Sequence, residues 1–163
     1  MSAFKAEHQY EFPVYNVNER KFRIYFHDAI LDKIIIDENK LNMVFSTGFT
    51  VQELTENGRW LKPCETGAST VVFDNFSTAD AVVYECREID CEWVKIARDI
   101  DFSILAENVN SGRWKLEFLA DYLDYYPLFK CGIETYDEKQ LECEFAIISG
   151  GKITFLWDEM KEW

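Results

Sequence analysis

The chain has 163 residues, a formal net charge of -13 and 16 % aromatic residues. The composition, with 48 % hydrophobic residues, three prolines and seven glycines, excludes a disordered, collagen-like or low-complexity protein. Together with the length, it predicts one folded domain over residues 1–163. No apolar run approaches the roughly 18 residues that a membrane span requires. The first residues also lack the apolar core of a signal peptide, so we expect a cytoplasmic protein.

The first half of the chain predicts short β-strands. Alternation of apolar and polar residues, bounded by turn formers, places strands at residues 10–15, 22–26, 34–36, 41–45, 48–54 and 70–73. Pro13 assigns the first of these to a sheet edge or a bulge. The clearest pattern spans residues 22–51 and predicts a β-hairpin that turns at residues 37–40. Asn57-Gly58 predicts a tight turn, because both residues tolerate positive φ.

The second half continues this pattern, with two places where a helix is considered. Ser77 or Thr78 can cap a helical turn at residues 76–80, and residues 119–126 fit helical spacing as well as strand alternation. The predicted strands are residues 81–86, 91–96, 100–106, 114–118, 128–136, 141–148 and 153–157. The sequence therefore predicts a mainly β fold: an antiparallel meander, curled sheet or barrel with one or two short helices.

The negative charge is concentrated in the second half. Residues 1–73 contain ten acids and eight bases, whereas residues 117–163 contain eleven acids and four bases. Such a field repels nucleic-acid phosphates and membrane surfaces, and it speeds the encounter with a basic partner. We therefore expect a basic protein as partner, with no nucleic acid and no membrane.

The five cysteines give no sign of a metal site or a disulfide framework. The number of cysteines is odd and no two of them form a CxxC pair, which is typical of reduced thiols. The five are Cys64, Cys86, Cys91, Cys131 and Cys143. Zinc ligands usually occur as closely spaced pairs, and no phosphate-binding glycine loop is present. The sequence predicts no metal and no cofactor.

His27 lies at the end of a predicted strand and is followed directly by Asp28. This pair is the candidate for acid-base catalysis by a histidine. A carboxylate can orient a histidine that acts as a general base. Neighbouring residues of a strand point to opposite faces, however, so we do not expect Asp28 to orient His27. Because no nucleophile motif is visible either, we expect a protein that is not an enzyme.

A cluster of tyrosines and carboxylates is the predicted site of partner binding. Tyrosines supply rigid anchors at protein interfaces, and carboxylates supply charge for steering and specificity. The predicted partner-binding residues are Asp121, Tyr122, Asp124, Tyr125, Tyr126, Glu142 and Glu144.

With this character, the chain resembles the immunity proteins of bacterial toxin systems. Those are small, acidic, cytosolic domains without catalytic motifs that bind and block a cognate toxin, often a basic nuclease. The resemblance implies a bacterial, non-enzymatic inhibitor. The alternative is a small-molecule-binding β-barrel, because the two Gly-Arg-Trp segments at residues 58–60 and 112–114 resemble the glycine-x-tryptophan motif of lipocalins. The oligomeric state stays open.

Overall fold

A computed structural model of the chain describes residues 6–14, 17–123, 126–137 and 139–162. Its strands are β1 (His8–Phe12), β2 (Phe22–Tyr25), β3 (Ile30–Leu31), β4 (Lys33–Asp37), β5 (Lys40–Phe45), β6 (Thr50–Glu53), β7 (Cys64–Thr66), β8 (Ser69–Phe73), β9 (Phe76–Ile89), β10 (Glu92–Asp101), β11 (Trp114–Tyr122), β12 (Leu128–Thr135), β13 (Leu141–Ser149), β14 (Ile153–Trp157) and β15 (Met160–Glu162). The described helices are a 3-10 turn at Val17–Glu19 and α1 (Phe102–Asn110).

The predicted mainly β fold is confirmed, since 62 % of the residues are in strands and 7 % are helical. The strands form three antiparallel sheets. The five-stranded sheet has the order β1-β14-β8-β5-β4, the six-stranded sheet β10-β9-β13-β12-β11-β3, and the four-stranded sheet β15-β7-β6-β2. Neither of the described helices has the length and hydropathy needed to cross a bilayer.

Phenylalanine rings fill the space between the sheets. Phe26 lies 5.4 Å from Phe45 and 5.5 Å from Phe118, and Phe129 lies 5.3 Å from Phe118 and 5.2 Å from Phe145, measured between ring centroids. All five are almost completely buried, and each buried ring contributes roughly 1.5–3 kcal/mol through removal of apolar surface from water. One continuous buried cluster therefore joins the sheets.

The predicted hairpin at residues 22–51 is correct only in its second part. β4 and β5 pair around a turn in which Glu38 has a φ of 51°. β2 instead pairs with β6, with Ile24 opposite Val51, so it belongs to another sheet. The alternation of residues 22–26 identifies a strand, but it carries no information on the partner of that strand.

The predicted helical turn at residues 76–80 is wrong, because these residues begin the long strand β9. The hydroxyl of Ser77 does not cap a helix and donates to the carbonyl of Ile148 on β13 at 3.1 Å. β9 and β10 form a hairpin with a two-residue turn, Asp90-Cys91, in which both φ angles are positive. The predicted strands at residues 81–86 and 91–96 are confirmed and extend further.

The predicted strand at residues 100–106 is wrong beyond Asp101. The carboxylate of Asp101 accepts the N–H of Ser103 at 2.8 Å and caps α1. The helix buries an apolar stripe that follows helical spacing: Phe102, Leu105, Ala106 and Val109.

Residues at the end of α1 protect one edge of the five-stranded sheet. The side-chain oxygen of Asn110 accepts the N–H of Ile34, and its amide donates to the carbonyl of Ile34, both at 2.8 Å. Two backbone groups of the edge strand β4 are satisfied in this way.

The short helix considered at residues 119–126 does not form in the described part of that segment. Residues up to Tyr122 continue β11, with a bulge between Phe118 and Ala120.

Candidate protein-binding surface

The six-stranded sheet has one face against the core and one face toward solvent. On β13, for example, Cys143, Phe145 and Ile147 are buried, while Glu142 and Glu144 point to the other side. We call this solvent side the outer face. It contains residues that the strand pairing aligns, namely Tyr84, Cys86, Lys95, Glu117, Tyr122, Lys130, Gly132, Glu142 and Glu144. It also contains Leu119, the bulge residue of β11, whose side chain lies beside Gly132.

A gap lies at the centre of the outer face, where Gly132 has no side chain. Its Cα partners are Glu117 on β11 and Glu142 on β13, so one carboxylate residue stands on each side of it. Neighbouring strands are about 4.8 Å apart, which separates these two strands by roughly 10 Å. A Cβ at Gly132 would meet only the Cδ1 of Leu119, at 4.0 Å. We call Glu117, Leu119, Gly132 and Glu142 the glycine gap.

The glycine gap is part of an open depression of about 510 Å³ that also includes Cys86 and Leu141. Its lining combines aliphatic surface with carboxylates and with two lysines, Lys115 and Lys139. These lysines are paired with Glu134 and Asp137. The combination of aliphatic surface and carboxylates suits a long basic side chain, whose stem is apolar and whose end is charged.

Lysines neutralise part of the charge on the outer face. Lys95 Nζ lies 2.5 Å from Glu142 Oε2, and Lys130 Nζ lies 2.9 Å from Glu144 Oε1. The hydrogen bond with Glu142 is the main reason that the pKa of Lys95 lies above its ordinary value. Glu117 forms no ion pair with any residue that the structure describes. It is therefore the carboxylate of the glycine gap that is available to a cation.

No protein-family model, curated protein or solved structure matches this chain. The functional assignment therefore depends on the chemistry of the residues.

The structure brings three of the predicted partner-binding residues to the outer face. Glu142 and Glu144 lie in its middle, and Tyr122 lies at the end of β11 with 58 % of its surface exposed. Tyr126 is also exposed. Two other predicted residues of this segment, at positions 124 and 125, lie outside the described residues.

Asp121 points to the other side of β11, opposite Phe129. Its carboxylate accepts the N–H of Phe26 at 3.3 Å, and burial raises the pKa of this carboxyl above its ordinary value. The group fixes the backbone next to β2. It contributes to the fold at this position, and we do not include it in the outer face.

Sequence reasoning missed three residues of the glycine gap: Glu117, Leu119 and Gly132. An isolated glycine within a strand pattern is a known sign of a bulge or of close approach by another group, so Gly132 could have been singled out. Nothing local identifies Glu117, because its relation to Gly132 depends on how two strands align.

His27 and Asp28 do form a pair, contrary to the expectation. Asp28 has a φ of 66° and lies in a turn beyond β2, so its carboxylate can approach the ring of its neighbour, at 2.9 Å from Nδ1. Both side chains are about 70 % exposed, at 68 % and 71 %. They line an open depression with Glu65, and water at this position weakens the electrostatic effect of one group on the other.

The described residues contain no group of three or more His, Cys, Asp or Glu side chains that could hold a metal ion.

Proposed function

We propose that this chain is a non-enzymatic binding protein that blocks a basic protein partner, as an immunity protein blocks its toxin. The glycine gap carries the proposal. It offers aliphatic surface from Leu119 and the backbone of Gly132, flanked by Glu117 and Glu142.

A lysine or arginine of the partner would lie in the glycine gap with its aliphatic stem over Gly132 and its charged end beside Glu117. Arginine has the better geometry for this contact, because its planar guanidinium pairs with a carboxylate through two parallel hydrogen bonds. Glu142 already holds Lys95. The incoming cation would therefore depend mainly on Glu117.

The outer face has the dimensions of a protein interface. The five long strands β9 to β13 lie about 4.8 Å apart and extend about 30 Å, which gives a face of roughly 700 Å². A typical stable interface buries about 800 Å² on each partner. Tyr122 adds an exposed aromatic ring at the border of this face, and aromatic residues provide much of the binding energy in such interfaces.

The alternative function, a small-molecule-binding barrel, requires an open interior. The phenylalanine cluster occupies the space between the sheets, with Phe26 only 5.1 Å from Phe49 and 5.4 Å from Phe45. A packed aromatic interior favours binding on the surface.

The test is capture of purified basic proteins, beginning with those encoded beside its gene, by the immobilised protein at about 0.1 M and about 1 M salt. The screening length falls from about 10 Å to about 3 Å over this range, so capture should be stronger at low salt. Glu117→Lys should abolish binding of the captured protein in calorimetry.

Glu56→Lys is the matched control, because Glu56 is an exposed turn residue outside the six-stranded sheet and the charge change is the same. Equal loss of binding in both variants would show that only net charge matters. Binding that survives Glu117→Lys would refute the role of the glycine gap.

A further inference from the structure

The hairpin of β9 and β10 ends in a free strand edge. β10 is the terminal strand of its sheet and, among the described strands, pairs only with β9. β13 accompanies β9 as far as Glu85, opposite Leu141, and beyond this point the hairpin continues as a two-stranded arm. Residues 91–99 are all exposed. A long exposed edge of this kind offers unpaired backbone groups to another strand.

The pairing shows which backbone groups are free. The N–H of Cys86 donates to the carbonyl of Gln140 at 3.0 Å, so Cys86 directs its backbone groups away from β10. In an antiparallel pair, two opposed residues both face each other or both face away. Lys95, the partner of Cys86, therefore directs its N–H and C=O to the open edge, as do Trp93 and Ala97.

This edge exposes three large apolar side chains between its charged residues. Trp93 is 67 % exposed, Ile96 41 % and Val94 37 %. Charged residues often guard an edge strand against association, but Lys95 is held by Glu142 of its own sheet at 2.5 Å. The edge therefore combines free hydrogen-bonding groups with exposed apolar surface.

We propose that β10 pairs with β10 of a second copy of this chain, antiparallel, around a two-fold axis at Lys95. The two six-stranded sheets would then form one continuous sheet. The sequence of the strand is largely complementary to itself around this axis, because a small residue opposes a large one, apolar residues oppose apolar ones and an acid opposes a base. Lys95 opposes Lys95 of the second copy on the axis, and each of these lysines is paired with Glu142 of its own chain. The opposed pairs are Trp93 with Ala97, Val94 with Ile96, and Glu92 with Arg98 of the second copy.

The pairing of Glu92 with Arg98 favours this alignment over its neighbours. Opposed residues of the two copies must lie on the same face of the sheet. The two-fold axis must therefore pass through a residue of β10 and not between two residues, so each alternative alignment places the axis at another residue. Glu92 and Arg98 form no ion pair with described residues of their own chain, and the axis at Lys95 pairs them twice. An axis at Ile96 would oppose Arg98 to Val94, and an axis at Ala97 would oppose Arg98 to Ile96. An axis at Val94 would oppose Glu92 to Ile96, and Arg98 to Asp90, which lies in the turn outside β10.

The test measures the mass of the protein by sedimentation at several concentrations, with a reducing agent present because Cys91 is exposed. We expect twice the chain mass of 19.2 kDa. Arg98→Glu and Glu92→Arg should each weaken the dimer on the order of 100-fold, because each places two like-charged pairs in the interface.

Mixing these two variants in equal amounts should restore a dimer, since each acid then meets a base of the other variant. A variant that had failed to fold could not be rescued in this way. A single-chain mass of the unaltered protein at every concentration would overturn the proposal, and so would a dimer insensitive to both reversals or variants that stay monomeric after mixing. Glu117→Lys should leave the dimer intact, so this test is independent of partner binding.

Discussion

Replacing Gly132 by alanine should stabilise the protein. Gly132 lies within β12, and its φ is outside the left-handed region, so an L-residue can adopt its backbone conformation. A Cβ there would meet only Leu119, at an ordinary contact distance of 4.0 Å. Glycine within a strand costs about 0.5–1 kcal/mol relative to alanine, largely through the entropy of the unfolded chain. Gly132→Ala should therefore raise the free energy of unfolding by this amount.

The measurement is urea denaturation together with thermal unfolding. For a chain of this size, a gain of about 0.5–1 kcal/mol corresponds to a rise in Tm of about 1–4 °C. Gly48→Ala is the contrasting variant, because Gly48 has a φ of +74° and a Cβ there would collide with atoms of Thr66 and Gly67. It should lose more than about 1 kcal/mol.

A larger side chain at position 132 should block partner binding without unfolding the protein. Gly132→Leu places a side chain between Glu117 and Glu142 and fills the glycine gap, so we expect a folded protein that no longer binds its partner. If Gly132→Ala destabilised the protein, or if Gly132→Leu bound normally, the glycine gap would not be the open binding site inferred from the structure.

Three further predictions concern other groups. Burial raises the pKa of Asp121, so the folded state binds the proton of this carboxyl more tightly than the unfolded state does. The contribution of this proton to the free energy of unfolding is complete below the ordinary carboxyl pKa. It is lost as the pH rises through the raised pKa of the folded state. Asp121→Asn should therefore be the more stable protein near pH 7, with an advantage that disappears in acid, as pH-dependent denaturation will show. Cys91 is exposed whereas Cys131 and Cys143 are buried, and burial raises the pKa of Cys131, so a thiol reagent followed by mass spectrometry should label Cys91 in the native protein and the buried pair only after unfolding. His27→Ala should change the free energy of unfolding by less than about 0.5 kcal/mol in urea denaturation, because the contact of His27 with Asp28 is exposed; a larger loss would give that contact a structural role.

Much of the strand content could be predicted from local sequence. Asn57-Gly58 forms the predicted turn, with Leu54 bridged to Trp60 and a φ of +72° at Gly58. The strands at residues 128–136, 141–148 and 153–157 are also confirmed. Each depends on a period of two and on turn residues, and both signals lie within a few residues of the element.

The errors occur where local signals are ambiguous. Residues 100–106 (IDFSILA) alternate like a strand, but Asp101 and Ser103 also form a helix cap. The helix prevails because Phe102 and Leu105 can then bury themselves against the sheets. At residues 76–80, the opposite happens: Ser77 is a possible cap, yet pairing with β13 satisfies the backbone.

The candidate surface shows the same division. Tyr122, Glu142 and Glu144 were accessible to sequence reasoning because aromatic and acidic residues can be recognised by type. The sequence also determined which side chains of each strand share a face, since alternate residues point the same way. Only the tertiary structure decided that Gly132 lies between Glu117 and Glu142, because that relation depends on strand order and register. Register is set by hydrogen bonds and packing between segments distant in sequence, and these leave no local pattern to read.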